Sequence, residues 1–200
     1  PRKQKVIKVK NKRVLPALKA AFPHTLPILA GFIALGMGYG IYHRSAGLPI
    51  WFAPLTSILV FGGSLEFLLV SMLLAPFQPL IVFFLSLLVQ ARHLFYGLSM
   101  LDKYRGKGII GAYLIYSMCD ETFSVNCSAE PPEGVDETLF MFFVSFLDQS
   151  YWIISVTLGS LLGGTLSNYS RGVEFVMTAM FTVIFLKEME KKSSRIPGLI

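Results

Sequence analysis

Charge is what this chain has least of. Only 15% of its 200 residues are Asp, Glu, Lys or Arg, where a soluble domain usually carries about 25%. Cysteine is scarce too, with Cys119 and Cys127 the two present. They are expected in one helix, where eight residues would hold them ~12 Å apart along the axis, beyond disulfide reach. With no CxxC and no His-Cys cluster, neither a disulfide scaffold nor a zinc site is indicated. Gly-x-Ser-x-Gly, His-Glu-x-x-His and the P-loop are also missing. Serine, zinc and nucleotide hydrolysis therefore lack their motifs, and no catalytic residue, metal or cofactor is assigned. The first 24 residues show no signal-peptide apolar core or cleavage site, so the first span is expected to stay in the mature protein.

What is present is long and apolar. The chain is 54% hydrophobic with 17 Phe and a mean hydropathy of +0.60, which indicates a polytopic, all-α membrane protein. The net charge of +6 could suggest nucleic acid, but eight of the 18 Lys and Arg crowd between Arg2 and Lys19 with little aromatic interleaving. That pattern suits a cytoplasmic flank held against anionic lipid. We divide the chain into a basic cytoplasmic or interfacial segment (1–24), a single transmembrane domain (25–190), and a basic tail or link to further helices (191–200). Residues 1–24 read either as a helix lying on the inner membrane surface or as an unstructured basic tail.

Pro23 and Pro27 mark the expected start of the first span, Thr25 to Tyr42, and Gly36, Gly38 and Gly40 crowd its second half. Small residues four apart permit close helix packing or an unwound segment. The second run, Pro49 to Leu74, contains Gly62-Gly63-Ser64-Leu65-Glu66-Phe67. A Gly-Gly pair weakens a membrane helix, and the freed backbone groups survive only where protein or a wet cavity satisfies them. An acid beside such a break is expected at a transporter's binding site. The third run, Gln78 to Leu101, carries Gln90, Arg92 and His93 among Leu, Phe, Val and Ile. A cation near mid-membrane costs roughly 2.5–3.5 kcal/mol even on the mildest scale, so Arg92 must face a partner, a cavity or a substrate. Glu66 lies at a similar depth and is one expected partner.

The fourth run, Gly108 to Cys127, puts Tyr113, Tyr116, Ser117, Asp120 and Ser124 on one face, with Glu121 beside them. The fifth, Thr138 to Gly164, aligns Ser145, Asp148, Gln149 and Trp152, and the sixth spans Gly172 to Leu186. No tandem repeat is visible. Basic residues at the amino terminus and at 102–107 both favour the cytoplasm, yet three apolar runs separate them. We therefore expect about five to seven hydrophobic segments with at least one broken or re-entrant, the glycine-rich second run first among them. The loop from Ser128 to Glu137, with four acidic residues, votes weakly for the exterior.

Glu66, Arg92, His93, Asp120, Glu121 and Asp148 make one cation, one histidine and four acids within the membrane domain. Walled by Leu, Phe and Met, that set suits a zwitterion with an apolar side chain. A guanidinium takes a carboxylate through two parallel hydrogen bonds, and a carboxylate takes the ammonium. His93 or a buried carboxyl could carry a coupling proton. A cation-selective or small-solute channel subunit is the alternative, since acidic rings select cations. An intramembrane aspartyl protease would leave the Arg and Glu unexplained, and a purely structural subunit should tolerate Arg92→Leu.

Gln90-Ala-Arg-His-Leu-Phe-Tyr-Gly-Leu-Ser-Met resembles the Arg-His-x-x-Tyr-Gly-x-Ser signature of the AzlC (LIV-E) family of branched-chain amino-acid exporters. Leu18 to Pro49, Phe61-Gly-Gly-Ser-Leu-Glu-Phe, Cys119-Asp-Glu-Thr-Phe and Gly172-Val-Glu-Phe-Val-Met resemble further elements of it. The resemblance implies the large subunit of a complex with a small AzlD-like membrane subunit, with a dimer of that complex as a further level of assembly. It also implies secondary, proton-driven export of branched-chain and related hydrophobic amino acids across the bacterial inner membrane. Substrate binding is then expected from Gly62, Gly63, Glu66, Arg92, Tyr96, Ser117, Asp120 and Gln149, and proton coupling from His93, Asp120, Glu121 and Asp148. Glu66 stands where the family usually has Gln, and family members tend to run on for one or two more helices.

Overall fold

A computed structural model describes residues 2–166 and 182, so the sixth apolar run lies outside the described residues. Within them the chain forms eight helices and no strand: α1 (Arg2–Ser45), α2 (Phe52–Leu59), α3 (Gly63–Leu74), α4 (Pro79–Val89), α5 (Arg92–Tyr104), α6 (Gly108–Tyr116), α7 (Asp120–Ser128) and α8 (Glu137–Leu166). Two are long and apolar enough to cross a membrane, Arg13–Ser45 and Glu137–Gly164, and α4 with α5, bent by 53°, has the length and composition of a third, broken span or of a re-entrant loop.

The first helix corrects the expected start at Thr25, because it continues through Pro16, Pro23 and Pro27. Each proline removes one helical N–H. Between the second and third of them, Thr25 Oγ1 donates to the Phe22 carbonyl at 3.0 Å.

α1 and α8 run parallel. His24 meets Phe140 edge-on at 5.6 Å and Phe32 meets Trp152 at 5.3 Å, and further along Gly36 faces Ser155 and Gly163 faces Arg44. Between the ways of reading the first-span glycines, close packing is the one adopted. A Cβ at Gly40 would collide with backbone atoms of Val156, Gly159 and Ser160, and one at Gly159 with the backbone of Met37. Backbones this close are what small residues on facing helices permit.

This parallel pair sets a depth scale for the rest. Phe52 of α2 stacks on His43 at 5.8 Å and Thr56 bonds Tyr39 at 2.9 Å, so α2 descends from the far end. α3 then climbs again, from Gly63 beside Trp152 to Phe67 against Tyr39 and Tyr42. The α2–α3 pair is therefore a hairpin that turns back at mid-depth. α4 and α5 cross completely, from the link at 75–78, past Gln90 beside Gly62, to Tyr104 in a core cluster with Ala21 and Phe140. α6 and α7 form a second hairpin from the opposite end. Lys107 Nζ donates to Thr138 Oγ1 at 2.8 Å near its entry, and Asn126 Nδ2 donates to Tyr104 Oη at 3.1 Å near its exit.

With α1 and the bent α4–α5 pair as candidate spans, two lie between the basic amino terminus and the basic turn at 105–107, and the glycine-rich run forms a helical hairpin between them. Among the described residues two helices, or three with the bent pair, are candidate spans, fewer than the five to seven hydrophobic segments expected of the whole chain. The fourth run was expected to be one helix holding both cysteines, and instead it breaks at 117–119 and turns back. The acidic segment 129–136 consequently lies at the same end of the bundle as the first half of α1.

Candidate functional site

Three chain breaks meet at mid-depth, and each has its own local cause. At the first, Phe61 takes a left-handed backbone (φ 42°) and Gly62 caps α3. The Gly62 N–H donates to Glu66 Oε1 at 3.3 Å, so an acid in the first turn satisfies the cap from within its own helix. The gap at Gly62 is filled by the Gln90 side-chain amide, which a Cβ there would strike. Gln90 itself marks the second break, at 90–91, and so the first two breaks interlock. At the third, the Cys119 N–H donates to Thr122 Oγ1 at 2.8 Å, and Asp120 and Glu121 occupy the first turn of α7. Acids there oppose the positive end of the helix dipole.

α3, α5 and α7 thus all begin at this level, and their first residues point into one open cavity. Its lining comprises Phe32 and Leu35 from α1, Phe61 to Ser64, Arg92 and His93, Cys119 to Glu121, and Trp152. Arg92 bridges the three beginnings. One terminal nitrogen pairs with Asp120 Oδ2 and the other donates to Ser64 Oγ at 2.9 Å. Both partners remain about a third open, at 34% and 38% side-chain exposure, so the pair faces the cavity.

The pairing is also incomplete. Arg92 Nε and Asp120 Oδ1 are buried without a hydrogen-bond partner. Arg92 therefore keeps a donor, and Asp120 an acceptor, for something that enters.

Several expected site residues sit elsewhere. Glu66 was one expected partner of Arg92, and the structure assigns that place to Asp120. Glu66 is fully buried behind the cavity wall and accepts from Ser57 Oγ at 2.7 Å, from Trp152 Nε1 at 2.9 Å and from the Gly62 N–H. Three donors leave its carboxylate little to offer a ligand. Ser117 is buried and donates to the Tyr113 carbonyl at 2.7 Å. Gln149 is held between Tyr113 (2.7 Å) and Tyr116 (3.3 Å). Tyr96 is outside the lining but next to it, stacked on Phe123 at 4.3 Å, 5.7 Å from the His93 ring and beside Asp120, and Asp148 is fully buried outside the lining. Gly62, Gly63, Arg92, His93, Asp120 and Glu121 are brought together.

The reading of polar residues missed the apolar wall: Phe32, Leu35 and Phe61, with Trp152 noticed only as part of a stripe. It also passed over Ser64, which sits inside the quoted glycine motif. A hydroxyl directly after a helix-breaking Gly-Gly pair was the available signal for Ser64. Nothing in the sequence separates Phe32 or Leu35 from the lipid-facing apolar residues around them.

The family model described as AzlC protein matches residues 27–166. The chain is 44% identical over 190 residues to the branched-chain amino acid transport protein AzlC of Bacillus subtilis, covering 95% of this chain and 75% of that one. It is 41% identical over 191 residues to a membrane protein of Haemophilus influenzae, covering 94% and 77%. To the inner membrane protein YgaZ of Escherichia coli it is 23% identical over 182 residues, covering 85% and 72%. No solved structure matches the chain.

Proposed function

Because the chain belongs to the AzlC family, we propose that it is a secondary transporter that exports branched-chain and related hydrophobic amino acids in exchange for protons. The membrane is the bacterial inner membrane, and a small AzlD-like subunit completes the transporter. The substrate class is supported by the Bacillus relative, named as a branched-chain amino acid transport protein.

The observation that carries the reading is the half-satisfied Arg92–Asp120 pair in a cavity with an apolar wall of Phe32, Leu35, Phe61 and Trp152. An amino-acid zwitterion brings the same two charges in reverse. Its carboxylate takes the guanidinium through two parallel hydrogen bonds, aided by Ser64 and the positive ends of α3 and α5. Its ammonium takes Asp120, and its aliphatic side chain packs on Phe32, Leu35, Phe61 and Trp152. Exchanging one ion pair for two equivalent ones leaves no buried charge unpaired, which keeps the desolvation cost of entry low.

The test is leucine counterflow in proteoliposomes containing the complex. Saturable counterflow is expected from the wild type, with loss of at least tenfold in Arg92→Gln and in Asp120→Asn. Wild-type flux from a folded double variant would sink the assignment. Flux that rises linearly with leucine and shows no counterflow would mark a pore instead.

A further inference from the structure

Asp148 is a carboxyl with nothing to bind. It lies midway along α8, is fully buried, and neither side-chain oxygen has a hydrogen-bond partner. One turn earlier on the same face, Ser145 is also fully buried with an unpartnered hydroxyl. A buried carboxyl without a hydrogen-bond partner is costly to keep for structure alone. Other buried polar groups at this depth show what a structural role looks like. Glu66 collects three donors, and Gln149 has two tyrosines.

The neighbours make the position more pointed. Glu121, which lines the cavity, lies within electrostatic reach of Asp148, and so does the thiol of Cys119. α1 carries no titratable side chain between His24 and Tyr39, and α2 carries none. α6 offers Tyr113 and Tyr116, both held by Gln149. No cation faces Asp148 from these helices.

We propose that Asp148, with Ser145 beside it, is the site that carries the coupling proton, separate from the cavity and reached from it through Glu121. This deepens the transport reading and rests on it. A proton needs one acceptor oxygen and a neighbour to share it with. A metal ion needs several ligands, and among the described residues no group of three or more His, Cys, Asp or Glu is placed to hold one.

The experiment uses the complex in proteoliposomes and compares two modes of flux. Leucine counterflow needs no proton movement, whereas uptake driven by an acid interior does. Asp148→Asn is expected to keep counterflow within about twofold of wild type and to lose driven uptake at least tenfold. Driven uptake that persists overturns the proposal, and so does loss of counterflow in a monodisperse variant. A sodium gradient that drives uptake where the proton gradient does not would also overturn it. Should Asp148→Asn fail to assemble, Ser145→Ala is expected to shift the pH midpoint of driven uptake with counterflow unchanged, and an unshifted midpoint overturns the proposal. Absence of any leucine flux from the wild type would instead count against the transport reading itself.

Discussion

Trp152 of α8 donates its indole N–H to Glu66 of α3 at 2.9 Å, joining residues 86 apart in sequence. The bond ties the glycine break to the long helix that sets the depth scale. Ser57 of α2 completes the tie at 2.7 Å, so one carboxyl holds both arms of the first hairpin to α8.

Glu66→Leu should therefore unfold the site rather than alter substrate choice. Removing the acceptor leaves three buried donors unmet, at about 1–3 kcal/mol each. Glu66→Gln keeps a carbonyl oxygen for Trp152 and Gly62, and its amide can turn towards Ser57. Thermal unfolding in detergent should fall by several degrees for Leu and by much less for Gln. An equal drop in both would show that charge, and not hydrogen bonding, matters there.

Arg92→Lys tests the fork. Lysine preserves the charge but cannot reach Asp120 and Ser64 while presenting a second donor in a plane. Counterflow at saturating leucine should survive in part, with the half-saturating concentration raised roughly tenfold, about 1.4 kcal/mol of lost carboxylate recognition. An unchanged half-saturation would mean that Arg92 acts as a point charge.

How far these features could be read from the sequence depended on the kind of signal. The all-helical class, a paired Arg92 and the break at Gly62-Gly63 were legible because charge in an apolar run and paired glycine in a membrane helix each carry a cost that needs an explanation. Counting basic flanks pointed to one short run among the first three, and the second run does fold as a pair of short helices, α2 and α3. The break at 117–119 was not legible as an apolar-run feature, since no glycine or proline marks it. Its signal is polar: Cys119-Asp120-Glu121-Thr122 is a helix start, with acids in the first turn and a hydroxyl reaching back to the cap. Partner choice was beyond reach altogether. Depth alone makes Glu66 and Asp120 equivalent candidates for Arg92, and only the orientation of α3 turns Glu66 away towards Trp152.

Gly40→Val should be among the most destabilising single changes in the first helix. Its Cβ would meet main-chain atoms of Val156, Gly159 and Ser160, which cannot swing aside as a side chain can. Overpacking of this kind costs typically 1–3 kcal/mol, and here α1 and α8 would have to separate. Gly31→Ala is the control, because nothing lies within 4 Å of its would-be Cβ, and alanine should gain about 0.5–1 kcal/mol in a helix. Opposite shifts in thermal midpoint check the pair, and a tolerated Gly40→Val would refute the close crossing.

The opposed hairpins make a prediction about sidedness that a chain crossing the membrane at every apolar run could not share. Residues 129–136 and 105–107 sit at the end where α1 begins, while 75–78 sits at the end where α1 finishes. In a background with Cys119 and Cys127 replaced, Glu133→Cys and Pro76→Cys should react with a membrane-impermeant maleimide from opposite sides. Both positions lie in loops outside the helices, so reactivity reports the side and not burial. Labelling of Glu133→Cys and Pro76→Cys from the same side would mean that α4 and α5 do not together cross. The junction of three helix starts around Arg92 would then lose its place at mid-depth. Labelling from opposite sides, with Glu133→Cys protected in intact cells, fixes the amino-terminal end as cytoplasmic and makes the acidic loop an inner one, where acids carry little topological weight against the basic flanks beside it.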